Sequence, residues 1–178
     1  PGNSILAIDT ITTLTPAAES ATNAIDGDAS TKFLSFGQDG SGVIVTPSGG
    51  PSVAVAMQLT TANDFFERDP ISFEIYGTND AILSSENSEG TSENWTLITA
   101  DDITLPLDRM TESALITWAN TTEYTSYKII FTELVDQSGA FPADSFQIAE
   151  IQLFDAVPEP GSLALVGLGG LALLRRRR

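Results

Sequence analysis

Residues 146–154 read Phe-Gln-Ile-Ala-Glu-Ile-Gln-Leu-Phe, and the alternation of apolar side chains changes parity in the middle of this stretch. The apolar side chains expected to face the core are at even positions in the first half, Phe146 and Ile148. In the second half they are at odd positions, Ile151 and Leu153. Because successive side chains of a β-strand point to opposite faces, the core-facing register must shift by one residue near Ala149. A β-bulge produces such a shift and often re-aims a side chain, which here would be that of Glu150.

Short alternating runs of the same kind fill the chain up to residue 156, and clusters of Gly, Asn, Asp, Ser and Pro separate them. No stretch shows the 3.6-residue periodicity of a substantial helix. The strand candidates are residues 4–8, 42–46, 53–59, 71–76, 95–99, 114–119, 127–132 and 146–154. Around eight short strands in one domain predict an all-β fold, an antiparallel β-sandwich of ordinary or jelly-roll type.

Length and charge limit the organisation and the partners. The 178 residues fit one domain, which we place at residues 1–156, followed by a tail at 157–178. Of 8 basic residues, four are the final arginines, so the preceding chain carries 4 − 24 = −20. Such a surface repels phosphate backbones and anionic lipid headgroups, so we expect no nucleic-acid partner and instead an affinity for cations.

The absence of Cys and His excludes several chemistries. The chain contains 0 Cys and 0 His, which removes disulfides, thiolate zinc sites, thiol nucleophiles and the Ser-His-Asp triad. Most zinc, copper and non-haem iron sites are also excluded. Carboxylates, hydroxyls and carbonyls remain, and these suit calcium or, less often, a carboxylate-pair hydrolase.

The tail has three parts. It begins with Val157, Pro158, Glu159 and Pro160, continues with an apolar run at 162–174, and ends with Arg175, Arg176, Arg177 and Arg178. A helix over 162–174 would be about 20 Å long, which is short of the ~30 Å hydrocarbon core of a bilayer. We therefore expect a short apolar helix that associates with a membrane only transiently, with the arginines on the cytoplasmic side.

This order of segments resembles the PEP-CTERM sorting signal of Gram-negative bacteria. The resemblance implies an exported protein that is held in the inner membrane, cleaved by an exosortase and released to the cell surface or medium, usually in organisms that make exopolysaccharide. The alternative is an ordinary buried C-terminal helix, but four terminal arginines argue against it.

A second motif lies near the N-terminus. Residues 23–31 read Asn-Ala-Ile-Asp-Gly-Asp-Ala-Ser-Thr, with Asp26 and Asp28 on either side of Gly27. The spacing does not match an EF-hand, and the loop alone has too few carboxylates for calcium, so Glu150 would have to complete the site. Alternatively, this stretch is a solvated turn and Glu150 a surface residue.

This pairing resembles the discoidin-type, galactose-binding-like domain. Four segments carry the resemblance: NAIDGDAST at 23–31, FEIYGTND at 73–80, Trp95, and IAEIQLF at 148–154. It implies a β-sandwich with a structural Ca²⁺ that ties the start of the domain to its end. The implied ligands are Asn23, Asp26, Asp28, Thr31, Ala149 and Glu150.

A ligand surface is suggested by adjacent aromatic residues in a polar loop. Phe65 and Phe66 cannot both point into one core face, so one of them would be free to stack on a sugar ring or a partner protein, with Arg68 nearby. Domains of the discoidin type often bind sugars through loops at one end, although this chain lacks the His that many use. Alternatively, Arg68 pairs with Asp69 or another carboxylate while one phenylalanine closes the sandwich.

Together these features predict an exported, non-enzymatic surface or matrix protein that contacts extracellular polysaccharide. Two alternatives stay open at this stage: a purely structural coat or assembly protein, and a glycoside hydrolase with two catalytic carboxylates. The hydrolase has less support, because the acidic residues are spread singly and no motif marks an acid and a nucleophile.

Overall fold

The computed structural model describes residues 3–9, 15–135 and 144–157. Within these ranges the strands are β1 (Ser4–Ile8), β2 (Phe33–Ser35), β3 (Gly42–Thr46), β4 (Ala56–Thr60), β5 (Pro70–Thr78), β6 (Thr96–Asp102), β7 (Ile116–Thr117), β8 (Ser126–Leu134), β9 (Phe146–Ile148) and β10 (Glu150–Phe154). Three short 3₁₀ helices accompany them, at Ala17–Glu19, Ala21–Ile25 and Phe66–Arg68. The helix predicted in the tail lies outside the described residues.

The strands form three antiparallel sheets. A five-stranded sheet has the order β1-β3-β8-β5-β6, a three-stranded sheet the order β10-β4-β7, and β2 pairs with β9. This arrangement confirms the predicted all-β antiparallel sandwich. Among the described residues, no helix is long and apolar enough to cross a membrane.

The core lies between the sheets and is filled by the inward faces of their strands. Alternation places Phe73 and Ile75 of β5 inward, facing Met57 and Leu59 of β4, and all four are at most 1% exposed. The ring of Phe131 stacks on that of a residue in β9 at 4.6 Å between centroids. Burial of these apolar side chains is the main favourable contribution to folding, about 1.5–3 kcal/mol for each large one.

The parity change in residues 146–154 is a break between two strands. β9 ends at Ile148 and pairs with β2, whereas β10 begins at Glu150 and pairs with β4. Between them, the Ala149 amide donates to the Thr60 carbonyl at 2.9 Å. The register shift was therefore predicted at the right place, but the structure makes it by changing sheets and not by a bulge within one strand.

Two candidate strands are shorter than predicted. In the run 53–59 the strand starts only at Ala56, and Ala54 is buried while Val53 and Val55 are half-buried, so the inward parity differs before the strand begins. In the run 114–119 only Ile116–Thr117 pairs with β4. The sequence predicts no strand at β2, because a strand of three residues is too short to show periodicity.

The strand directions place the end of β10 and the loop 61–69 at opposite ends of the sandwich. Phe154 pairs with Ala56 at the start of β4, whereas Glu150 pairs with Thr60 at its end. The loop 61–69 continues from Thr60, so it lies at the end away from Phe154 and the following Val157. Val157 therefore lies on the side of the sandwich opposite this loop.

Candidate functional site

The acidic turn at 26–28 meets the first residue of β10, as the sequence predicts. Oε1 of Glu150 accepts hydrogen bonds from the backbone amides of Gly27 at 2.9 Å and Asp28 at 3.0 Å. Gly27 has φ 80°, a conformation that side-chain-bearing residues rarely adopt, and this turns both amides toward the carboxylate. Glu150 is 123 residues from Gly27 and 122 from Asp28 in the sequence, so two distant stretches of the chain form one site.

A second carboxylate lies beside the first. Asp26 accepts from the Asp28 amide at 2.8 Å through Oδ1 and from Thr31 Oγ1 at 2.9 Å through Oδ2. Burial, together with the hydrogen bond and the charge of Asp26, raises the pKa of Glu150 to about 7, although the amides of Gly27 and Asp28 oppose this. Two acidic groups in contact repel when both are ionised, and a cation between them would remove that repulsion.

The remaining predicted metal ligands are arranged around this pair. The Asp28 carboxylate turns toward Ser30, accepting from its amide at 2.9 Å and its hydroxyl at 2.6 Å, and these bonds lower the pKa of Asp28. The Asp28 carbonyl accepts from Thr31 Oγ1 at 2.9 Å. Asp28 therefore reaches the cluster through its backbone, while its carboxylate shapes the turn.

Asn23 and Ala149 are close in the chain to Asp26 and Glu150, respectively. The Asn23 side-chain amide donates to the carbonyls of Ala18 at 3.0 Å and Lys32 at 2.9 Å, so it holds the two ends of the loop together. These bonds use the side-chain nitrogen of Asn23 and leave its carbonyl oxygens to act as acceptors. Ala149 adjoins Glu150 in the chain and is fully buried.

This donor set consists of hard oxygens. Across residues 3–9, 15–135 and 144–157, no group of three or more His, Cys, Asp or Glu side chains is placed to hold a metal. A site here would combine two carboxylates with neutral carbonyl and hydroxyl oxygens. Calcium accepts six to eight such oxygens in flexible geometry, so the residues fit calcium better than zinc or copper.

The aromatic loop is exposed at the far end of the sandwich. Phe65 is 62% exposed and Phe66 45%, so neither closes the core. The Arg68 guanidinium lies 4.8 Å from the centroid of the Phe65 ring and forms an ion pair of 2.9 Å with Asp144. Of the two pairings foreseen for Arg68, the structure shows the one with another carboxylate.

Polar side chains that the sequence did not single out hold the base of this loop. The buried Gln147 donates to the carbonyls of Asp64 at 2.9 Å and Phe65 at 2.8 Å. Lys32, which is 5% exposed, binds the Asp64 carboxylate at 2.7 Å and Gln147 Oε1 at 3.2 Å. These hydrogen bonds therefore hold the loop in one conformation in the unliganded protein, which lowers the entropic cost of binding.

Arg109 fixes the other side of the loop. It donates to both carboxylate oxygens of Asp69, at 2.7 and 3.0 Å, and to the Asp64 carbonyl at 3.2 Å. The side chain of Asp69 is 3% exposed, so this is a largely desolvated ion pair. The two partners are 40 residues apart, and nothing in the local sequence pairs them.

The comparisons with known proteins cover both parts of the chain. The model for the PEP-CTERM protein-sorting motif matches residues 156–178. The sequence matches none of the curated proteins with which it was compared.

Among solved structures, the family 32 carbohydrate-binding module of Clostridium perfringens NanJ, solved in complex with galactose, matches with a TM-score of 0.59 and 15% identity, covering 85% of this chain and 92% of that one. The Clostridium perfringens module CpGH89CBM32-5, in complex with GalNAc-β-1,3-galactose, gives a TM-score of 0.61, 16% identity and coverage of 85% and 94%. CBM62 from Clostridium thermocellum Xyl5A matches with a TM-score of 0.58 and 16% identity, covering 86% of this chain and 94% of that one. The chain therefore joins a β-sandwich with the fold of these carbohydrate-binding modules to a C-terminal PEP-CTERM sorting motif.

Proposed function

We propose that this chain is an exported, non-enzymatic bacterial surface or matrix protein: a calcium-stabilised module that contacts polysaccharide and is sorted and cleaved through its tail. One observation carries the proposal, namely that a sorting motif at 156–178 follows a sandwich with the fold of carbohydrate-binding modules. The motif supports delivery through the inner membrane and processing by an exosortase. The fold supports binding over catalysis.

The loop that carries Phe65 and Phe66 is the proposed sugar-binding surface. Aromatic faces stack on the apolar faces of sugar rings, and Arg68 supplies hydrogen-bond donors beside them. A surface built this way favours a binding role over that of a passive coat, because exposed aromatic side chains on a fixed loop otherwise gain nothing from exposure. Since the chain has a net charge of −16, neutral sugars are more suitable ligands than polyanions.

Calcium would serve the fold and not a reaction. When bound, it would supply a positive charge between Asp26 and Glu150 and so connect the turn at 26–28 to the last strand. A ligand that binds only the folded state adds its binding free energy to stability. The proposed ligands are Asn23, Asp26, Asp28, Thr31, Ala149 and Glu150.

The placement of the two ends suits presentation at a surface. The aromatic loop and residue 157 lie at opposite ends of the sandwich, as the pairing of β10 with β4 requires. Before cleavage, a protein held through its tail would therefore point the loop away from the membrane. This orientation supports contact with material outside the cell.

Binding to immobilised glycans tests the sugar-binding part. We expect the full chain to bind one or more neutral galactose-containing glycans on an array, and Phe66→Ala to weaken that binding by about tenfold, or ~1.4 kcal/mol. Leu83→Ala is the control, because Leu83 is 76% exposed in the loop at the opposite end. Equal binding by Phe66→Ala and the wild type would contradict a role for this loop, and an array without any bound glycan would favour the coat protein.

A further inference from the structure

The outer face of the three-stranded sheet presents an ordered set of side chains. Register aligns them in three rows across the strands: Glu150, Thr60 and Glu112; Gln152 and Gln58; Phe154, Ala56 and Thr117. Alternation puts the intervening residues Ile151 and Leu153 on the core side. The face therefore carries carboxylates at one end, amides in the middle and an aromatic ring at the other end.

A groove of about 700 Å³ runs along this face and the free edge of β10. Gln58, Thr60, Glu112, Gln152 and Phe154 line it, together with residues of the inter-sheet gap. The four-residue span from the first to the last row is about 13 Å at roughly 3.3 Å per residue. The groove is thus long enough for a segment of an extended chain.

The polar groups of the groove have hydrogen-bonding capacity left over. Gln58 uses its amide nitrogen to donate to the Ser113 carbonyl at 3.0 Å, which leaves its oxygen as an acceptor. Gln152 is exposed, and within the described ranges its side chain forms no hydrogen bond with the protein. Phe154 is half-buried, so part of its ring faces the groove.

The chemistry of the lining selects the occupant. No lysine or arginine lines the groove among the described residues, whereas Glu112, Glu150 and Asp155 do. An anionic polysaccharide would therefore be repelled. The lining also contains apolar side chains, among them Ile151, Leu153 and Phe154, so it offers both hydrogen-bonding groups and apolar surface. Sugar hydroxyls, in contrast, match amide and carboxylate groups as donors and acceptors, and a sugar face can pack on Phe154.

We propose that this groove is a second glycan-binding surface, which takes a segment of a neutral polysaccharide along β10 and β4. It differs from the aromatic loop in position and residues: the loop caps one end of the sandwich, and the groove lies along its side. One chain could engage the same polymer at both places, and linked sites raise the overall affinity without new contacts.

Affinity electrophoresis of the full chain separates the two surfaces. Native gels would contain galactan, xylan or dextran as neutral probes, and polygalacturonate as the anionic one. We expect retardation in at least one neutral gel and none in polygalacturonate. Gln152→Ala should weaken the apparent affinity by about fivefold, the value of one hydrogen bond, and Phe154→Ala should weaken it as well.

The Phe66→Ala background removes the contribution of the loop. In that background some retardation should persist, and adding Gln152→Ala should weaken it further, again by about fivefold. Leu97→Ala is the control, because Leu97 is 52% exposed on the edge strand β6 of the other sheet. Since Gln152 packs against nothing in the core, its substitution should leave the melting temperature unchanged.

Each other outcome overturns the proposal. If Phe66→Ala alone abolishes retardation, or if Gln152→Ala and Phe154→Ala migrate like the wild type, the groove binds no glycan while the loop proposal stands. Retardation by polygalacturonate would contradict the argument from charge. A wild-type chain that is retarded by no neutral polysaccharide would contradict both surfaces.

Discussion

Glu150 shows how a single residue can connect distant parts of a chain. It is the first residue of β10, directly after the change of sheets at Ala149, and its carboxylate reaches the amides of Gly27 and Asp28. One more residue in either strand would turn this side chain to the other face. The local break in register is therefore what places the carboxylate in the turn.

At this scale we predict a calcium-dependent stability. Saturation at about 100 times Kd would stabilise the fold by about 2.7 kcal/mol, which corresponds to roughly 5 to 10 °C in Tm. Differential scanning fluorimetry in calcium and in EDTA measures the difference. Glu150→Gln should abolish it, and in EDTA this variant should be at least as stable as the wild type, since the repulsion with Asp26 is gone.

Glu112→Gln is the matched control for that experiment. Glu112 neighbours Thr60 on the same sheet face, and among the described residues it forms no hydrogen bond with the turn at 26–28, so its substitution should leave the calcium response intact. Identical melting curves of the wild type in calcium and in EDTA would refute a structural ion at this position.

At the scale of elements, the loop 79–95 protects an edge of the larger sheet. The Asn87 amide donates to the Ala7 carbonyl at 2.9 Å, and the Asp9 amide donates to the Ser88 carbonyl at 3.1 Å. These bonds cover the outer edge of β1, which would otherwise expose unpaired backbone groups. The polar composition of the loop indicates only an irregular segment, and its contacts with β1 appear in the structure alone.

A single carboxylate fixes the fold of this loop. Glu93 is 7% exposed and accepts hydrogen bonds from the Leu83 amide at 2.6 Å and from the amide and hydroxyl of Ser84, both at 2.7 Å. Burial alone would raise the pKa of Glu93, but the bonds from Ser84 and Leu83 outweigh it and hold the pKa below its usual 4.5. The charged form is therefore the one that stabilises the fold.

The lowered pKa of Glu93 predicts a loss of stability in acid. The contribution of Glu93 is fully present above pH 4.5, its unfolded value, and disappears as the pH falls through the lower folded pKa. Glu93→Gln should cost about 1–3 kcal/mol at pH 7. Urea unfolding at pH 7 and near pH 3 should show a smaller difference for this variant than for the wild type.

Glu89→Gln provides the comparison within the same loop, because Glu89 is exposed. This variant should keep the acid sensitivity of the wild type. If Glu93→Gln shows the same difference between pH 7 and pH 3 as the wild type, the hydrogen bonds of Glu93 contribute nothing to the stability of the charged form.

At the scale of the whole molecule, the sandwich and the tail have separate tasks. The sandwich carries the acidic turn, the aromatic loop and the groove, and the sorting motif at 156–178 follows its last strand. The tail contributes half of the 8 basic residues, so its removal would make the remaining chain more acidic.

We predict that the mature protein from its native host lacks Arg175–Arg178. Intact-mass spectrometry of the secreted and surface fractions would show the loss. Replacing Pro158 and Pro160 by Ala should keep the uncleaved chain in the membrane fraction, because the sorting motif would be altered. Arg178 in the secreted protein would contradict processing at the tail.

Much of the fold and part of the candidate site follow from local sequence. Strands β1 and β3 have the predicted bounds, and the parity change near Ala149 marks the place where Glu150 turns toward the acidic turn at 26–28. Such features are readable because alternation and turn residues act within a few positions. The roles of Arg109 and Gln147 could not be predicted from local sequence, because their hydrogen-bond partners lie 40 and 82 to 83 residues away in the chain.

By itself, the sequence determined the all-β class and the sorting tail, because alternation acts between neighbouring residues and the tail is one contiguous motif. The meeting of the Asp26 turn with Glu150 was implied by the resemblance to discoidin-type domains. Only the tertiary structure decided that Phe65 and Phe66 are both exposed, that buried polar groups hold their loop, and that β10, β4 and β7 align Gln152 and Gln58 in one groove. Side-chain exposure and cross-strand register depend on which strands become neighbours, and long-range packing settles that.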